Sequence, residues 1–160
     1  MKKYLVIGNP IEHSLSPLVH NFWFRKYNLS DSNYEKRKIE RIDLKNIVDQ
    51  VRNKKIEGVN ITVPFKKEII PFLDSLKGDA QLTLSVNTLC KNNNEVIGFN
   101  TDTKGFKNSL KNEKIDYKNK NILIIGAGGV SSSILAAFVK SAKKIYITNK
   151  REVFIFCSGL

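Results

Sequence analysis

The chain has 160 residues, 41% of them hydrophobic, two cysteines and a formal net charge of +12. That length suits one ordinary domain of about 100 to 200 residues, or one domain and part of another. No apolar run approaches the roughly 18 residues of a membrane span, and no signal peptide is visible. Of the 27 cations 22 are lysines, spread along the chain among 17 asparagines and 18 isoleucines. Such a bias lacks the clustered arginines and interleaved aromatics of nucleic-acid readers. The expectation is therefore a soluble cytoplasmic protein with neither nucleic acid nor membrane as partner, whose lysines form a solvated surface that helps to capture anions. Cys90 and Cys157 have no metal or redox spacing and read as reduced thiols. No metal site is expected, and nothing in the chain indicates an oligomeric state.

Tyr4 to Ile7 is a short apolar strand, after which Ser16 and Pro17 supply an N-cap and a first-position proline for a helix to about Tyr27. Tyr34 to Ile42 alternates loosely as a strand. Asp43 then caps a helix with Leu44, Ile47, Val48 and Val51 at helical spacing. Gly58 to Thr62 is the next strand, Pro64 starts a short helix, and Pro71 ends or bends it. Ser85 to Cys90 and Val96 to Asn100 read as strands joined by the turn Asn92-Asn93-Asn94, since asparagine tolerates left-handed backbone. A bridging helix from Thr103 to about Lys111 leads through a polar connection to a buried strand, Asn121 to Ile125. The helix Val130 to Lys140 and a parallel strand, Lys144 to Thr148, complete one β-α-β unit. The fold class is α/β: a first domain over residues 1–102 and a partial dinucleotide-binding domain over 103–160.

Three places carry chemistry. Ser14 and Ser16 lie in a turn before a helix whose first amides can hold a carboxylate, or they only shape that turn. Lys66 follows the carboxyl end of a strand, the edge where ligands gather in open α/β sheets, although most of the 22 lysines must be surface cations. Gly126, Ala127, Gly128, Gly129 and Val130 join an apolar strand to a helix, where glycine lets a pyrophosphate approach the backbone. That strand-turn-helix-strand order favours nucleotide binding over a purely structural turn. The strand Lys144 to Thr148 leads into Asn149, Lys150 and Arg151 rather than into an acidic residue, which suits a 2′-phosphate and hence NADP.

Taken in order, the motifs Gly8-Asn9-Pro10-Ile11-Glu12-His13-Ser14-Leu15-Ser16-Pro17, Asn60-Ile61-Thr62-Val63-Pro64-Phe65-Lys66, Ser85-Val86-Asn87-Thr88 and Asn100-Thr101-Asp102-Thr103-Lys104-Gly105, followed by the glycine turn, resemble the shikimate dehydrogenases. The resemblance runs from about Tyr4 to Arg151. It implies an NADP-dependent oxidoreductase that interconverts shikimate and 3-dehydroshikimate in aromatic amino-acid biosynthesis. It also implies that Lys66 and Asp102 are catalytic, that Ser14 and Ser16 hold the substrate carboxylate, and that Thr62, Asn87 and Thr101 bond the ring hydroxyls. Gly126 to Val130 with Asn149, Lys150 and Arg151 would bind the cofactor. His13 reads as a turn residue and Asn60 as one that orders its turn.

The family usually carries glycine and alanine where this chain has Leu84 and Ser85, alanine where it has Val130, and asparagine-arginine where it has Asn149-Lys150. Beyond Arg151 the family pattern stops, and the apolar tail reads as the end of a truncated or frame-shifted product. A poor catalyst is then expected, with an open edge on the strand Lys144 to Thr148 and a loosely packed tail or a makeshift strand. A quinate-using variant and a non-catalytic remnant remain the alternatives.

Overall fold

The computed structural model describes residues 1–149 and 153–157. Two sheets organise it. The first has strand order β2-β1-β3-β5-β6-β4, and the second β7-β8-β9.

In the first unit β1 (Lys2–Gly8) runs parallel to β2 (Ser32–Lys38) on one side and to β3 (Gly58–Ile61) on the other. Leu5, Ile7, Val59 and Ile61 face one side of the sheet. Against them packs α2 (Leu44–Arg52), whose Leu44, Ile47, Val48 and Val51 are all buried. Side chains three and four apart share one helix face, so the stripe read from the sequence is the packing surface. Each such burial contributes roughly 1.5 to 3 kcal/mol.

The opposite face is thinner. There Val6, Ile11 and Tyr34 form a small cluster with Tyr4 and Phe24, the latter from α1 (Ser16–Lys26). No residue of α1 is buried, and Leu18, Phe22 and Trp23 stay exposed.

Beyond β3 the chain makes a short 3-10 turn at Ile70–Phe72, β4 (Ser75–Lys77) and α3 (Asp79–Thr83). A hairpin of β5 (Thr88–Asn92) and β6 (Glu95–Phe99) follows. β5 runs antiparallel to both β3 and β6, and β4 closes the edge parallel to β6. Asn93 takes the expected left-handed conformation (φ 54°) at the hairpin tip.

Four local expectations change. Helix α1 starts at Ser16 itself, and it is the Ser14 hydroxyl oxygen that accepts the Ser16 amide, at 3.3 Å. Ile42 is 88% exposed, because β2 ends at Lys38 and a 3-10 turn (Arg41–Asp43) carries residue 42 outward. Asp43 caps that turn rather than α2: its carboxylate accepts the Glu40 amide at 2.9 Å, while Glu40 caps from the other end. Finally, residues 63–69 form consecutive turns instead of a helix. The Phe65 amide closes one turn onto the Thr62 carbonyl and the Ile69 amide another onto the Phe65 carbonyl, each at 3.0 Å, without the unbroken i to i−4 ladder of a helix.

Past α4 (Asp102–Asn112), β7 (Asn121–Ile125) and β8 (Lys144–Thr148) are parallel and joined through α5 (Ser131–Phe138). Leu110, Ile124, Phe138, Ile145 and Ile147 make this unit's core. Strand β7 is not fully buried as expected, for Leu123 and Ile125 are exposed, the latter at 82%. Both α4 and α5 contribute to the cluster on the Ile124 face, and period-two alternation sends Leu123 and Ile125 to the other. The free edge expected on β8 is covered by β9 (Val153–Cys157), which pairs antiparallel along its whole length. Residues 153–157 thus take the strand alternative. No helix among the described residues is long and apolar enough to cross a membrane.

Leu84, where the resemblance expects glycine, has φ 45° and ψ 44° in the left-handed region and is 59% exposed. A side chain there costs about 1 to 2 kcal/mol of steric strain. Leu84→Gly should therefore raise stability by up to about 1 kcal/mol, relief of strain outweighing the extra freedom of glycine in the unfolded chain. Urea unfolding measures it, and a lowered midpoint would mean that the leucine side chain packs more than its exposure indicates.

Candidate active site

Parallel β1 and β3 end side by side, and their loops are laced together beyond the sheet. The Thr62 amide donates to the Ile7 carbonyl at 3.0 Å, and the Asn9 amide to the Val63 carbonyl at 3.1 Å. Glycine is required between them, since a Cβ on Gly8 would sit 2.5 Å from Thr62 Cγ2 and 3.1 Å from the Val63 carbonyl oxygen. A cavity of about 300 Å³ opens above this junction. Val6 and Ile11 floor it, Ser14, Ser16 and Thr62 rim it, and His13 stands at its edge. A larger depression, about 510 Å³, lies between α1 and β2 around Asn21, Arg25 and Asn33. It contains no pairing of reactive groups and is a surface groove.

Lys66 is aimed by its neighbours. Phe65 and Ile69 are buried in the first core and fix the turns around it, while the Lys66 carbonyl accepts the Val86 amide at 2.8 Å. Its Nζ lies 2.7 Å from Asp102 Oδ2, with side-chain exposures of 14% and 26%. Lys67 is exposed, as expected of a surface cation. Lys66 therefore leaves from a turn rather than from the helix expected, yet it reaches the partner anticipated from the sequence.

Asn87 adjoins this pair. Its Nδ2 donates to Asp102 Oδ1 at 2.7 Å and to Thr101 Oγ1 at 2.8 Å. Its Oδ1 accepts the Thr101 amide at 3.0 Å and the Thr88 hydroxyl at 3.0 Å. Both amide protons are thus engaged within the protein. Thr101 is exposed and is the partner a ligand hydroxyl could displace.

Asn100, which the sequence marked only as the head of a motif, is the buried organiser. Its Oδ1 accepts the amides of Asp102 (3.0 Å) and Thr103 (3.4 Å), capping α4. Its Nδ2 donates to the Ser85 carbonyl and to Ser133 Oγ, each at 2.9 Å, so one side chain ties the catalytic aspartate candidate, the approach to Asn87 and the helix α5 together. An asparagine just ahead of a helix was the available signal. Tyr34 and Thr88 left no such signal, because their hydrogen bonds cross between strands.

The glycine turn faces the same region. Gly126 has φ 110°, which only glycine takes freely, and its amide donates to the Thr148 carbonyl at 2.7 Å. Cβ atoms on Gly126 or Gly128 would meet nothing within 4 Å, and one on Gly129 would meet only Val63 Cγ2, at 3.7 Å. Packing within the protein leaves open space above the turn, ahead of the amino end of α5, and this fits a group lying against the backbone. Ala127 and Val130 are exposed on the turn, and Asn149 is exposed directly after β8. Lys150 and Arg151 lie outside the described residues. Val63 lies within 3.7 Å of where a Cβ on Gly129 would stand, so this turn lies beside the loop that carries Lys66.

Residues 6–89 match the family described as the shikimate dehydrogenase substrate binding domain. The chain belongs to the shikimate dehydrogenase family. It is 50% identical over 153 residues to the NADP(+) shikimate dehydrogenase of Pelagibacter ubique (strain HTCC1062), covering 95% of this chain and 57% of that protein. The crystal structure of shikimate dehydrogenase from Aquifex aeolicus superposes with a TM-score of 0.86 at 40% identity, over 94% of this chain and 56% of the other. That of the Thermus thermophilus enzyme, in complex with NADP(H) and shikimate, gives 0.84 at 31% identity, over 94% and 57%. The chain spans about half the length of the curated relatives it matches.

Asn100→Ala removes a helix cap and leaves buried partners unbonded, so it should cost about 2 to 4 kcal/mol. Denaturant unfolding gives the total, and hydrogen exchange should show α4 and α5 loosening before β1 and β3. A loss no larger than that of an exposed asparagine would contradict the organising role.

Proposed function

We propose that residues 1–102 form a substrate-binding and catalytic domain for shikimate and that residues 103–160 supply a dinucleotide unit for NADP. Together they interconvert shikimate and 3-dehydroshikimate, in the cytoplasm, within aromatic amino-acid biosynthesis. The observation that carries this reading is the Lys66–Asp102 pair at 2.7 Å, on the loop whose Thr62 lines the serine-rimmed cavity and whose Val63 lies near Gly129. The names of the relatives and the ligands bound in their structures support it.

Oxidising a secondary alcohol removes a hydride from carbon and a proton from oxygen; NADP, when bound at Gly126 to Val130 and Asn149 to Arg151, supplies the hydride acceptor. The chain's own residues handle the rest. Ser14 and Ser16 hold the carboxylate, with hydroxyl donors beside the start of α1. Thr62, Asn87 and Thr101 orient the ring hydroxyls. Lys66 exchanges the proton of the reacting hydroxyl, leaving it when the ketone is reduced and receiving it when the alcohol is oxidised, and Asp102 keeps the amine on target.

Shikimate titration by calorimetry and shikimate-dependent reduction of NADP test these roles. Ser16→Ala should weaken binding by about 1.5 to 3 kcal/mol, the worth of a hydrogen bond to a charged group. Lys66→Ala should lower turnover about 10²- to 10⁴-fold while changing binding much less. Unchanged turnover removes Lys66 from the chemistry, and a wild-type protein that fails to bind shikimate ends the substrate reading.

NADP should bind more tightly than NAD, because Asn149, Lys150 and Arg151 offer cations and no carboxylate to a ribose phosphate. Changing Lys150 and Arg151 to alanine should erase the preference in competitive binding. Equal affinities in the unaltered protein would refute the assignment.

A further inference from the structure

One hydrogen-bond path runs from Tyr34 on β2 to the Lys66–Asp102 pair. Tyr34 is buried on β2, its ring stacked on His20 with centroids 4.1 Å apart and planes 2° from parallel. Its backbone is clamped by Asn21, which donates to the Tyr34 carbonyl at 2.8 Å and accepts the Tyr34 amide at 2.9 Å. The phenol donates to Asn60 Oδ1 at 2.6 Å. Asn60 Nδ2 donates to Thr88 Oγ1 at 2.9 Å, and the Thr88 hydroxyl donates to Asn87 Oδ1 at 3.0 Å. Asn87 Nδ2 then reaches Asp102 Oδ1, leaving Oδ2 for Lys66.

The direction of donation is fixed from the carboxylate end. Asp102 only accepts and the Thr101 backbone amide only donates, so Asn87 turns its NH₂ to the carboxylate and its carbonyl oxygen to Thr101 and Thr88. Asn60 Nδ2 also donates to the Asn87 backbone carbonyl at 3.2 Å, so its NH₂ stays on that side and its Oδ1 is left for the Tyr34 hydroxyl. Burial pushes the Tyr34 phenol far above its ordinary range, with a hydrogen bond from Ser16 opposing, so the first donor stays protonated. Reversing any amide would set two acceptors, or two donors, against each other inside the protein.

We infer that Tyr34, acting through Asn60 and Thr88, is a positioning residue that holds the Asn87 amide in place and with it the Asp102 carboxylate that Lys66 meets. The inference deepens the proposed function and rests on it for the ligand, though not for the path itself. It makes the packing of β2 and the Lys66–Asp102 pair parts of one ordered network.

The test is a double-mutant cycle with Tyr34→Phe and Thr88→Val, which remove one hydroxyl each and keep shape. With no ligand present, the side-chain amide protons of Asn87, followed by NMR, should exchange roughly tenfold faster in either variant, the factor carried by one buried hydrogen bond. Calorimetric titration with shikimate should show binding roughly tenfold weaker in each, with the double variant within about twofold of the singles, since members of one network are not additive. Additive losses, or unchanged exchange at Asn87, overturn the inference. If Tyr34→Phe unfolds the protein, Thr88→Val alone decides through Asn87 exchange. Wild-type protein that does not bind shikimate refutes the substrate reading and leaves the exchange measurement in force.

Discussion

A buried primary amide has four hydrogen-bonding sites and no water to fill them, so its neighbours must. Asn100 meets that demand by holding the first amides of α4, the Ser85 carbonyl and the Ser133 hydroxyl. The start of α4 fixes where Asp102 stands, and Asp102 fixes where Lys66 can rest. Ser133 belongs to α5, so the same side chain also sets the glycine turn against Val63. Satisfying one amide therefore registers the two sheets on each other.

The first unit is stiff where its loops must be accurate. Gly8 permits an approach to Thr62 that no other residue allows, and the buried Phe65 and Ile69 pin the turns around Lys66. Reacting groups need placement to within about an ångström. That accuracy comes from loop backbones laced to strand ends, with apolar side chains as anchors, and needs no helix beneath Lys66.

How much of this was legible depends on the range of each interaction. The stripe Leu44, Ile47, Val48 and Val51, the strands β1, β3, β7 and β8 and the turn at Asn93 are written locally and could be read directly, whereas the three-residue β4 was not read. Lys66 and Asp102 are 36 positions apart, and only a resemblance of motifs could pair them before the fold did. Pro64 misled because a proline after a strand usually opens a helix, whereas here the turns continue through it. Tyr34 was silent because its partner Asn60 lies 26 positions away, and Asn100 signalled a helix start but not its bond to Ser133, 33 positions on, since these neighbourhoods exist only after folding.

The Lys66–Asp102 pair is close to neutral as a unit, since opposite charges 2.7 Å apart cancel beyond a few ångströms. In a chain with a formal net charge of +12, the far field that an approaching anion experiences belongs to the scattered surface lysines and not to the site. The far field and the site are thereby governed by different charges. Ionic strength screens surface fields over a Debye length of about 8 to 10 Å, so salt should slow the encounter with an anionic ligand while leaving the sheltered pair nearly indifferent.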